Sequence, residues 1–325
     1  MQIQRGVYFL ANDRTFEVAV AFLTSLRTSN PLIPLCLIPF GGSCRKIWKL
    51  RDKYGFSIYS NHARLAACDA LSTHFHKDVV GHYRKLCIWD GPFEEFVYID
   101  VDTVVLQKIN FVYELLSEYD VITGHSNLAG SRRYVWKDSI YKSSELSTEE
   151  IAYSANTGFI ASKRGIVTER HISETLPHAL RLRPHMALEC MEQPYLNVII
   201  MAATGRYSSI HEINNRIPSL RLPHESWAGD LNWRLHPSGK CEYNGHPTEV
   251  LFVHWAGIWS PIGIERFTNT LLAIFGLCRR GLRRKLAQRS LWLHFRRLDV
   301  NKAAGTVRQC GVSSSAVAST QSSHN

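Results

Sequence analysis

The sequence lacks several features that would each point to a particular class of protein. Its eight cysteines include no Cys-x-x-Cys pair, and several lie in apolar runs where a thiol packs, which favours a reducing cytoplasm. The N-terminus has no apolar signal-peptide core. The longest apolar stretch, residues 271–278, is too short to span a bilayer. These absences favour a cytoplasmic protein, either soluble or peripheral to the inner face of a membrane.

One basic segment contains no acidic residue. Nine Lys or Arg lie between Arg266 and Leu298, and subtracting them from the formal net charge of +10 leaves +1 for the rest of the chain. Nucleic-acid binding requires basic residues spread along a face, so a nearly neutral body argues against that partner. Apolar residues at helical spacing predict a basic amphipathic helix within residues 266–300. Residues 266–298 would then suit an anionic membrane surface, or form a plain solvated face.

Strand-like and helix-like segments alternate in the first part of the chain. Apolar runs at residues 7–11, 35–38 and 57–59 flank helical patterns at residues 15–30 and 47–54. This β-α-β-α-β order predicts an α/β fold with a mostly parallel sheet flanked by helices. Ligands of such folds bind at the carboxyl ends of the strands.

Weaker patterns continue the alternation. Residues 126–150 are polar and weakly patterned, which predicts a mobile loop over the site. The tail, residues 301–325, is rich in small residues and is expected to be disordered. Helices are predicted at residues 63–89, 111–118, 166–182 and 192–203, and strands at residues 120–123, 154–161 and 250–253.

Two aspartates interrupt a run that is otherwise typical of a buried strand. Asp100 and Asp102 lie between residues 96–99 and 103–106, which are aromatic, β-branched or aliphatic. A buried carboxylate without a partner costs several kcal/mol, so two of them predict a neighbouring cation. A divalent metal ion is the best candidate.

His254 is the expected third ligand of this metal. It follows the apolar strand at residues 250–253 directly, as Asp102 nearly follows its own, so both are predicted at one edge of the sheet. Oxygen ligands suit Mg²⁺ and Mn²⁺, and Mn²⁺ also accepts imidazole. Taken singly, Asp-x-Asp is a weak motif that also caps turns, and a histidine after a strand is more often structural.

The joint order of the motifs resembles GT-A fold glycosyltransferases over roughly residues 6–260. The likeness is closest to the family 8 retaining enzymes of the glycogenin, galactinol synthase and lipopolysaccharide galactosyltransferase type. Residues 98–102 are similar to the family's strand-Asp-x-Asp element, and His254 with Gly257 to its His-x-x-Gly element. The resemblance implies a nucleotide-diphosphate sugar donor, Mn²⁺ or Mg²⁺ bound by Asp100, Asp102 and His254, and Gly257 at the donor site.

Other family elements have matching positions. Arg84 or Lys85 matches a basic residue that contacts the donor. Asn156 lies in an Asn-Thr-Gly segment, and Glu192 with Gln193 begins an acid-Gln-x-x-Leu-Asn segment; the resemblance implies that these three orient the transferred sugar. Glu192 is also a candidate nucleophile. Asn156 alternatively forms a β-bulge, and Glu192 alternatively starts a helix.

Asn12 and Asp13 end the first predicted strand, where they contact the nucleoside base or cap the next helix. The resemblance also implies a division of the chain. Residues 1–265 would form the catalytic domain, with a nucleotide-binding half at about 1–106 and an acceptor half at about 107–265. The basic helical region and the tail would follow it.

The chain departs from the family pattern at Ser260, where the family has a lysine that neutralises the diphosphate. Arg266 and Lys85 are possible substitutes. The leading prediction is a metal-dependent, retaining transferase acting on a glycan, lipid or protein acceptor. The alternatives are an inverting GT-A transferase, a sugar nucleotidyltransferase, and a non-enzymatic basic protein that binds membrane or nucleic acid. A pyrophosphorylase would show a Gly-rich basic loop after the first strand, and residues 11–14 do not form one.

Overall fold

The computed structural model describes residues 4–227, 233–235, 241–243, 246–256 and 292–298. Gly257, Ser260, most of the predicted basic helix and the tail lie outside the described residues. None of the described helices is long and apolar enough to cross a membrane.

The part of the chain that the structure describes contains thirteen strands. Those described are β1 (Arg5–Ala11), β2 (Leu35–Pro39), β3 (Phe56–Ile58), β4 (Glu95–Ile99), β5 (Thr103–Val105), β6 (Val121–Thr123), β7 (Phe159–Lys163), β8 (Tyr207–Ser209), β9 (His224–Trp227), β10 (Trp233–Leu235), β11 (Cys241–Tyr243), β12 (His246–Thr248) and β13 (Val250–His254).

Helices connect most of these strands. The α-helices are α1 (Phe16–Ser29), α2 (Arg45–Trp48), α3 (Arg51–Tyr54), α4 (His62–His76), α5 (Asn110–Leu115), α6 (Thr148–Tyr153), α7 (Glu169–Leu182), α8 (Gln193–Ala203) and α9 (Ile210–Arg216), and a further helical turn spans 292–297.

The main sheet has seven strands in the order β3-β2-β1-β4-β7-β6-β8. Only β7 runs antiparallel to its neighbours; the other adjacent pairs are parallel. Alternate residues of β1 enter different cores, with Tyr8 and Leu10 packed on one face and Val7 and Phe9 on the other. Helices α4, α7 and α8 cover the first face, and α1, α5 and α9 cover the second. The predicted mostly parallel sheet flanked by helices is confirmed.

A second sheet has three strands in the order β5-β13-β9. Strand β13 is antiparallel to β5 and parallel to β9. In this register His254 lies opposite Thr103, and the Trp255 N–H donates to the carbonyl of Asp102 at 2.9 Å. This pairing brings the histidine and the aspartates together.

Two segments differ from their sequence predictions. The helix expected at residues 63–89 is α4 followed by a 3-10 helix, Gly81–Trp89. The polar segment 126–150 contains two 3-10 turns, and its apolar residues Trp136 and Ile140 are buried, so much of it is packed on the domain.

Candidate active site

A cleft of about 720 Å³ opens at the carboxyl ends of β1 and β4. This volume is within the range of small-molecule sites. Charged side chains from separate parts of the sequence line it, among them Lys85, Asp100, Asp102, Glu192 and His254.

The two aspartates and His254 form one compact group. Each offers a ligand atom, and these atoms all lie within 4.8 Å of one another. His254 Nε2 is 3.2 Å from Asp102 Oδ1 and 4.0 Å from Asp100 Oδ2. Asp100 is held at its backbone, where its N–H donates to the Gly158 carbonyl at 2.8 Å and its carbonyl accepts from the Thr103 hydroxyl at 2.8 Å. The three predicted metal ligands therefore meet on fixed strand ends.

Gly158 leaves the space in which this group assembles. A Cβ atom at this position would lie 2.5 Å from His254 Cε1 and 3.0 Å from Asp100 Oδ2. Real Cβ atoms essentially never come within 3.0 Å of a neighbour, and the His254 ring is held in place by its hydrogen bond to Glu225. The glycine of the Asn-Thr-Gly segment therefore serves close packing beneath the aspartate and the histidine.

Lys85 is the buried cation of the cleft. Its Nζ lies 2.6 Å from Glu192 Oε1 and 3.2 Å from Asp100 Oδ1, and it donates to the Thr157 carbonyl at 3.2 Å. Burial by itself would lower the pKa of Lys85, but Asp100 and Glu192 outweigh it and raise that pKa. The lysine therefore stays charged and links Asp100, a candidate metal ligand, to Glu192.

The pKa values of Asp100 and His254 are both shifted by the charges around them. Burial alone would raise the pKa of Asp100, but Lys85 and His254 lower it. Burial alone would lower the pKa of His254, but Asp102 and Glu225 raise it well above its ordinary value. In the absence of a metal, the raised pKa favours protonation of His254, which places a positive charge beside these carboxylates.

Gln193 and Asn156 also lie on the cleft wall. Gln193 Oε1 accepts from the Thr157 N–H at 3.1 Å, and its Nε2 donates to the Tyr134 carbonyl at 3.0 Å. Asn156 Oδ1 accepts from the Gly158 N–H at 2.7 Å. These bonds fix both amides beside Glu192, so the structure brings all three sugar-orienting candidates to one cleft.

Three predicted donor contacts have other partners in the structure and do not line the cleft. Asn12 caps the helical turn that follows β1, accepting from Arg14 N at 2.9 Å, which is the capping role that the sequence left open. Asp13 Oδ1 accepts from Lys46 N at 2.7 Å. Arg84 forms an ion pair with Asp69 at 2.6 Å. Of the pair Arg84 and Lys85, it is Lys85 that faces the candidate metal ligands.

Glu225 was not predicted from the sequence. It lies on β9 with its side chain fully buried, and its Oε1 accepts from His254 Nδ1 at 2.7 Å and Trp227 Nε1 at 2.8 Å. Arg14 is a second unpredicted residue, exposed in the cleft lining beside β1. A carboxylate in the polar run His224–Trp227 follows no apolar strand, so the pattern that marked Asp100 and His254 was absent.

The donor set of the cleft suits a divalent cation. Two carboxylates and one imidazole are ligands that Mn²⁺ accepts, and carboxylates also suit Mg²⁺. Four acids pair with Lys85 or His254, and they outnumber the one ammonium group of Lys85: Asp100, Asp102, Glu192 and Glu225. A cation bound by the two aspartates and His254 would balance this excess.

A second cavity, of about 710 Å³, lies at the opposite ends of β1 and β2. Its acidic lining residue, Asp90, accepts from the Tyr59 hydroxyl at 2.5 Å and lies 2.7 Å from Arg64 Nε. Because this acid is already matched, the cavity has no excess charge to hold a metal.

Comparison with known proteins identifies the fold. No protein-family profile matches the chain, and no curated protein matches it significantly. The apo structure of the bifunctional glycosyltransferase WbbM superposes with a TM-score of 0.52 at 13% identity, covering 79% of this chain and 46% of that one. The apo glycosyltransferase GlyE from Streptococcus pneumoniae TIGR4 gives a TM-score of 0.51 at 12% identity, covering 96% and 64%.

The chain thus spans less than two thirds of the length of either structure. At these identities the likeness establishes the fold, which is the GT-A fold of glycosyltransferases, as predicted.

Proposed function

We propose that the protein is a metal-dependent glycosyltransferase that moves a sugar from a nucleotide-diphosphate sugar to an acceptor, with retention of anomeric configuration. The observation that supports this most is the meeting of Asp100, Asp102 and His254 in a cleft at the carboxyl edge of a GT-A sheet. This edge is where α/β sheets bind their ligands. The family 8 assignment belongs to the same proposal.

Asp100, Asp102 and His254 would hold Mn²⁺ or Mg²⁺. When bound, the metal supplies positive charge for the diphosphate that leaves the sugar. The protein's part is to fix the three ligands on strand ends and to exclude water from their inner side, where His254 is buried. Such fixed charges act strongly because they need no reorganisation during the reaction.

Glu192, Gln193 and Asn156 would orient the hydroxyl groups of the transferred sugar. Glu192 Oε1 lies 2.6 Å from Lys85 Nζ, which also pairs with Asp100, and an acidic side chain at this place suits a centre where positive charge develops on the sugar. Glu192 is our candidate nucleophile for a retaining reaction, since it is the cleft-lining glutamate that pairs with Lys85, at 2.6 Å. The two amides are held by backbone partners and need no rearrangement.

Arg14 is our candidate for the positive charge that the family's lysine provides at the position of Ser260. It lines the cleft beside β1, and no described carboxylate lies within 4.0 Å of it. Lys85, considered for the same role, is committed to Asp100 and Glu192.

The two halves of the domain would divide the substrates between them. Arg14, Lys85 and the aspartates come from the proposed nucleotide-binding half, residues 1–106. Ser131, Tyr134 and Glu189 line the cleft from the proposed acceptor half, residues 107–265. The acceptor, a glycan, lipid or protein, would approach from that side.

Turnover with a panel of nucleotide sugars tests the proposal. In the presence of Mn²⁺, we expect release of free nucleoside diphosphate, lost on addition of a chelator. Asp102→Ala should lower the rate by on the order of 10²–10³-fold, because it removes a metal ligand at the reacting centre. Unaffected turnover in that variant would overturn the metal assignment.

Product analysis separates the alternatives. A sugar nucleotidyltransferase would instead require pyrophosphate and convert it, together with the nucleotide-diphosphate sugar, into a nucleoside triphosphate and a sugar 1-phosphate. An inverting transferase would give a glycosidic bond opposite in configuration to the donor, which NMR spectroscopy of the product reveals. We expect nucleoside diphosphate and a retained configuration.

Contact with an anionic membrane through residues 266–298 is a separate proposal, supported by the basic residues of that segment. Of the part that is described, Trp292 is buried against β5 and β13, and Arg296 pairs with Glu17 at 2.5 Å. Binding to vesicles that contain anionic lipid, weakening with salt, would support membrane contact. Binding that survives deletion of residues 266–325 would contradict it.

A further inference from the structure

We infer that Glu225 is a positioning residue for the candidate metal site, where it holds the His254 ring so that Nε2 faces the two aspartates. The inference rests on the proposed function, since it assigns a role toward the metal that Asp100, Asp102 and His254 would bind. Glu225 itself is too far inside the protein to touch substrate: its side chain is fully buried on β9.

The pairing of β9 with β13 places Glu225 behind the histidine. The two strands are parallel, with Phe252 opposite Glu225 and His254 opposite Trp227. Because side chains alternate along a strand, all four of these residues lie on the same face of the sheet. Glu225 can therefore reach the side of the imidazole ring that is turned away from the cleft.

The hydrogen bond at 2.7 Å determines which nitrogen carries a proton. A carboxylate can only accept, so His254 Nδ1 must donate to Glu225 Oε1. In the neutral ring this leaves the lone pair on Nε2, which lies 3.2 Å from Asp102 Oδ1. Histidine ligands of metals are commonly oriented in this way by a carboxylate, which also raises their basicity.

The charge environment of Glu225 has no purely structural explanation. No described Lys or Arg lies within 4.0 Å of its carboxylate; the neighbouring groups are His254, the Trp227 indole and His125, whose Nε2 is 4.0 Å from Oε2. An apolar side chain of similar size would fill such a position at no electrostatic cost. A buried acid is justified here if its charge acts on the histidine and, through it, on a cation.

Gly124 leaves room for this carboxylate. A Cβ atom at residue 124 would lie 2.1 Å from Glu225 Oε2, so any larger residue would push the carboxylate out of place. Glu225 Oε2 has no hydrogen-bond partner among the described residues. Of the two carboxylate oxygens, only Oε1 has hydrogen-bond partners among the described residues, and these are the His254 ring and the Trp227 indole.

Direct Mn²⁺ binding to the full-length protein tests the inference without any substrate. Free Mn²⁺ can be measured by electron paramagnetic resonance during titration of wild type, Glu225→Gln and Glu225→Ala. We expect the Kd for Mn²⁺ to rise about 10–100-fold in Glu225→Ala, the usual loss on removing the partner of a metal-binding histidine. Glu225→Gln keeps an acceptor for Nδ1 but loses the charge, so its Kd should lie between the two.

Asp120→Asn is the matched control, because Asp120 is a buried, hydrogen-bonded carboxylate outside the cleft. It should lower thermal stability and leave the Kd for Mn²⁺ unchanged. Gly124→Ala, which displaces Glu225 without removing it, should weaken Mn²⁺ binding as Glu225→Ala does. This second variant guards against a fold defect peculiar to the alanine.

The outcomes separate the two proposals. If wild type binds Mn²⁺ and the Glu225 and Gly124 variants bind it within twofold of wild type, the positioning role is wrong and the metal site stands. If Glu225→Gln binds as weakly as Glu225→Ala, charge rather than ring orientation is the contribution, and the orientation role is wrong. If wild type binds no Mn²⁺, both the metal site and the role of Glu225 are overturned.

Discussion

Two acidic clusters lie at opposite ends of the strands of the main sheet, and they differ in how much positive charge surrounds their carboxylates. Asp120, before β6, forms an ion pair with Arg206, lies 3.4 Å from Lys163 and accepts from the Thr204 hydroxyl at 2.7 Å. Asp100 and Asp102, after β4, share one ammonium group and one histidine with two further carboxylates. The first cluster is complete in itself, whereas the second lacks positive charge.

The difference shows what distinguishes a candidate functional site from a structural ion pair. Each cluster contains an acid with a lowered pKa, Asp100 in one and Asp120 in the other, so a shifted pKa alone does not identify the site. What distinguishes the Asp100 cluster is an excess of acid beside an open cleft. An external cation can complete that cluster and has no place at Asp120.

Removing the single ammonium group should have the largest effect. We expect Lys85→Met to lower the free energy of unfolding by about 3–5 kcal/mol in metal-free protein, because Asp100 and Glu192 lose their buried partner. Mn²⁺ at 100 times its Kd should restore about 2.7 kcal/mol of stability. Urea unfolding with and without Mn²⁺ measures both quantities.

Arg84→Met provides the control for Lys85. The adjacent residue pairs with Asp69 outside the cleft, so its loss should be smaller and Mn²⁺ should add no more stability than it adds to wild type. Equal losses of unfolding free energy in Lys85→Met and Arg84→Met, with equal stabilisation by Mn²⁺, would show that the Asp100 cluster does not differ from an ordinary ion pair.

Adding a methyl group beside Asp100 and His254 should lower stability by an intermediate amount. Gly158→Ala places a methyl group against His254 and Asp100, and overpacking of this kind costs about 1–3 kcal/mol. We expect a lower thermal midpoint together with weaker Mn²⁺ binding. Gly205→Ala is the control, because a Cβ atom there meets nothing within 4 Å. Normal Mn²⁺ binding by Gly158→Ala would show that the ligands tolerate displacement.

Neutralising Asp120 should have the smallest effect on stability and no effect on Mn²⁺ binding. Burial alone would raise the pKa of Asp120, but hydrogen bonds from Arg206, Thr204 and Lys163 lower it below 3.8. Its stabilisation is therefore present above about pH 4 and is lost as pH falls through the lowered pKa. We expect Asp120→Asn to cost about 1–2 kcal/mol at pH 7, since Arg206 is half exposed, and progressively less as the pH falls through the lowered pKa of Asp120.

Thermal unfolding of wild type and Asp120→Asn from pH 7 to pH 2 measures this difference. A difference that stays constant over the whole range would show that the charge of Asp120 contributes nothing. A Mn²⁺ response that differs between the two proteins would break the separation of the clusters.

The features that sequence patterns predicted are those with strong local character. The apolar runs of β4 and β13 marked both strands, and the residues that follow or end them, Asp100, Asp102 and His254, were expected at one sheet edge for that reason. The parallel order of the first strands followed from their alternation with helices. In each case a buried strand fixes where its terminal polar residue emerges.

Other features depend on contacts that no local pattern contains. Arg84 and Lys85 are adjacent in sequence and both positively charged. Successive residues of a 3-10 helix point in directions about 120° apart, so Arg84 pairs with Asp69 whereas Lys85 pairs with Asp100. Glu225 lies in a short polar strand whose importance comes only from its pairing with β13. Such roles follow from register between distant segments, which composition and periodicity do not encode.

The pairing of β5 with β13 also has a consequence for how the protein matures. It joins residues about 150 positions apart, and contacts between such distant residues generally form late in folding because the intervening chain must first be closed into a loop. On a ribosome, the aspartates emerge long before the histidine that completes their group. At the proposed site, affinity for Mn²⁺ would therefore appear only after His254 has been synthesised and β13 has paired with β5.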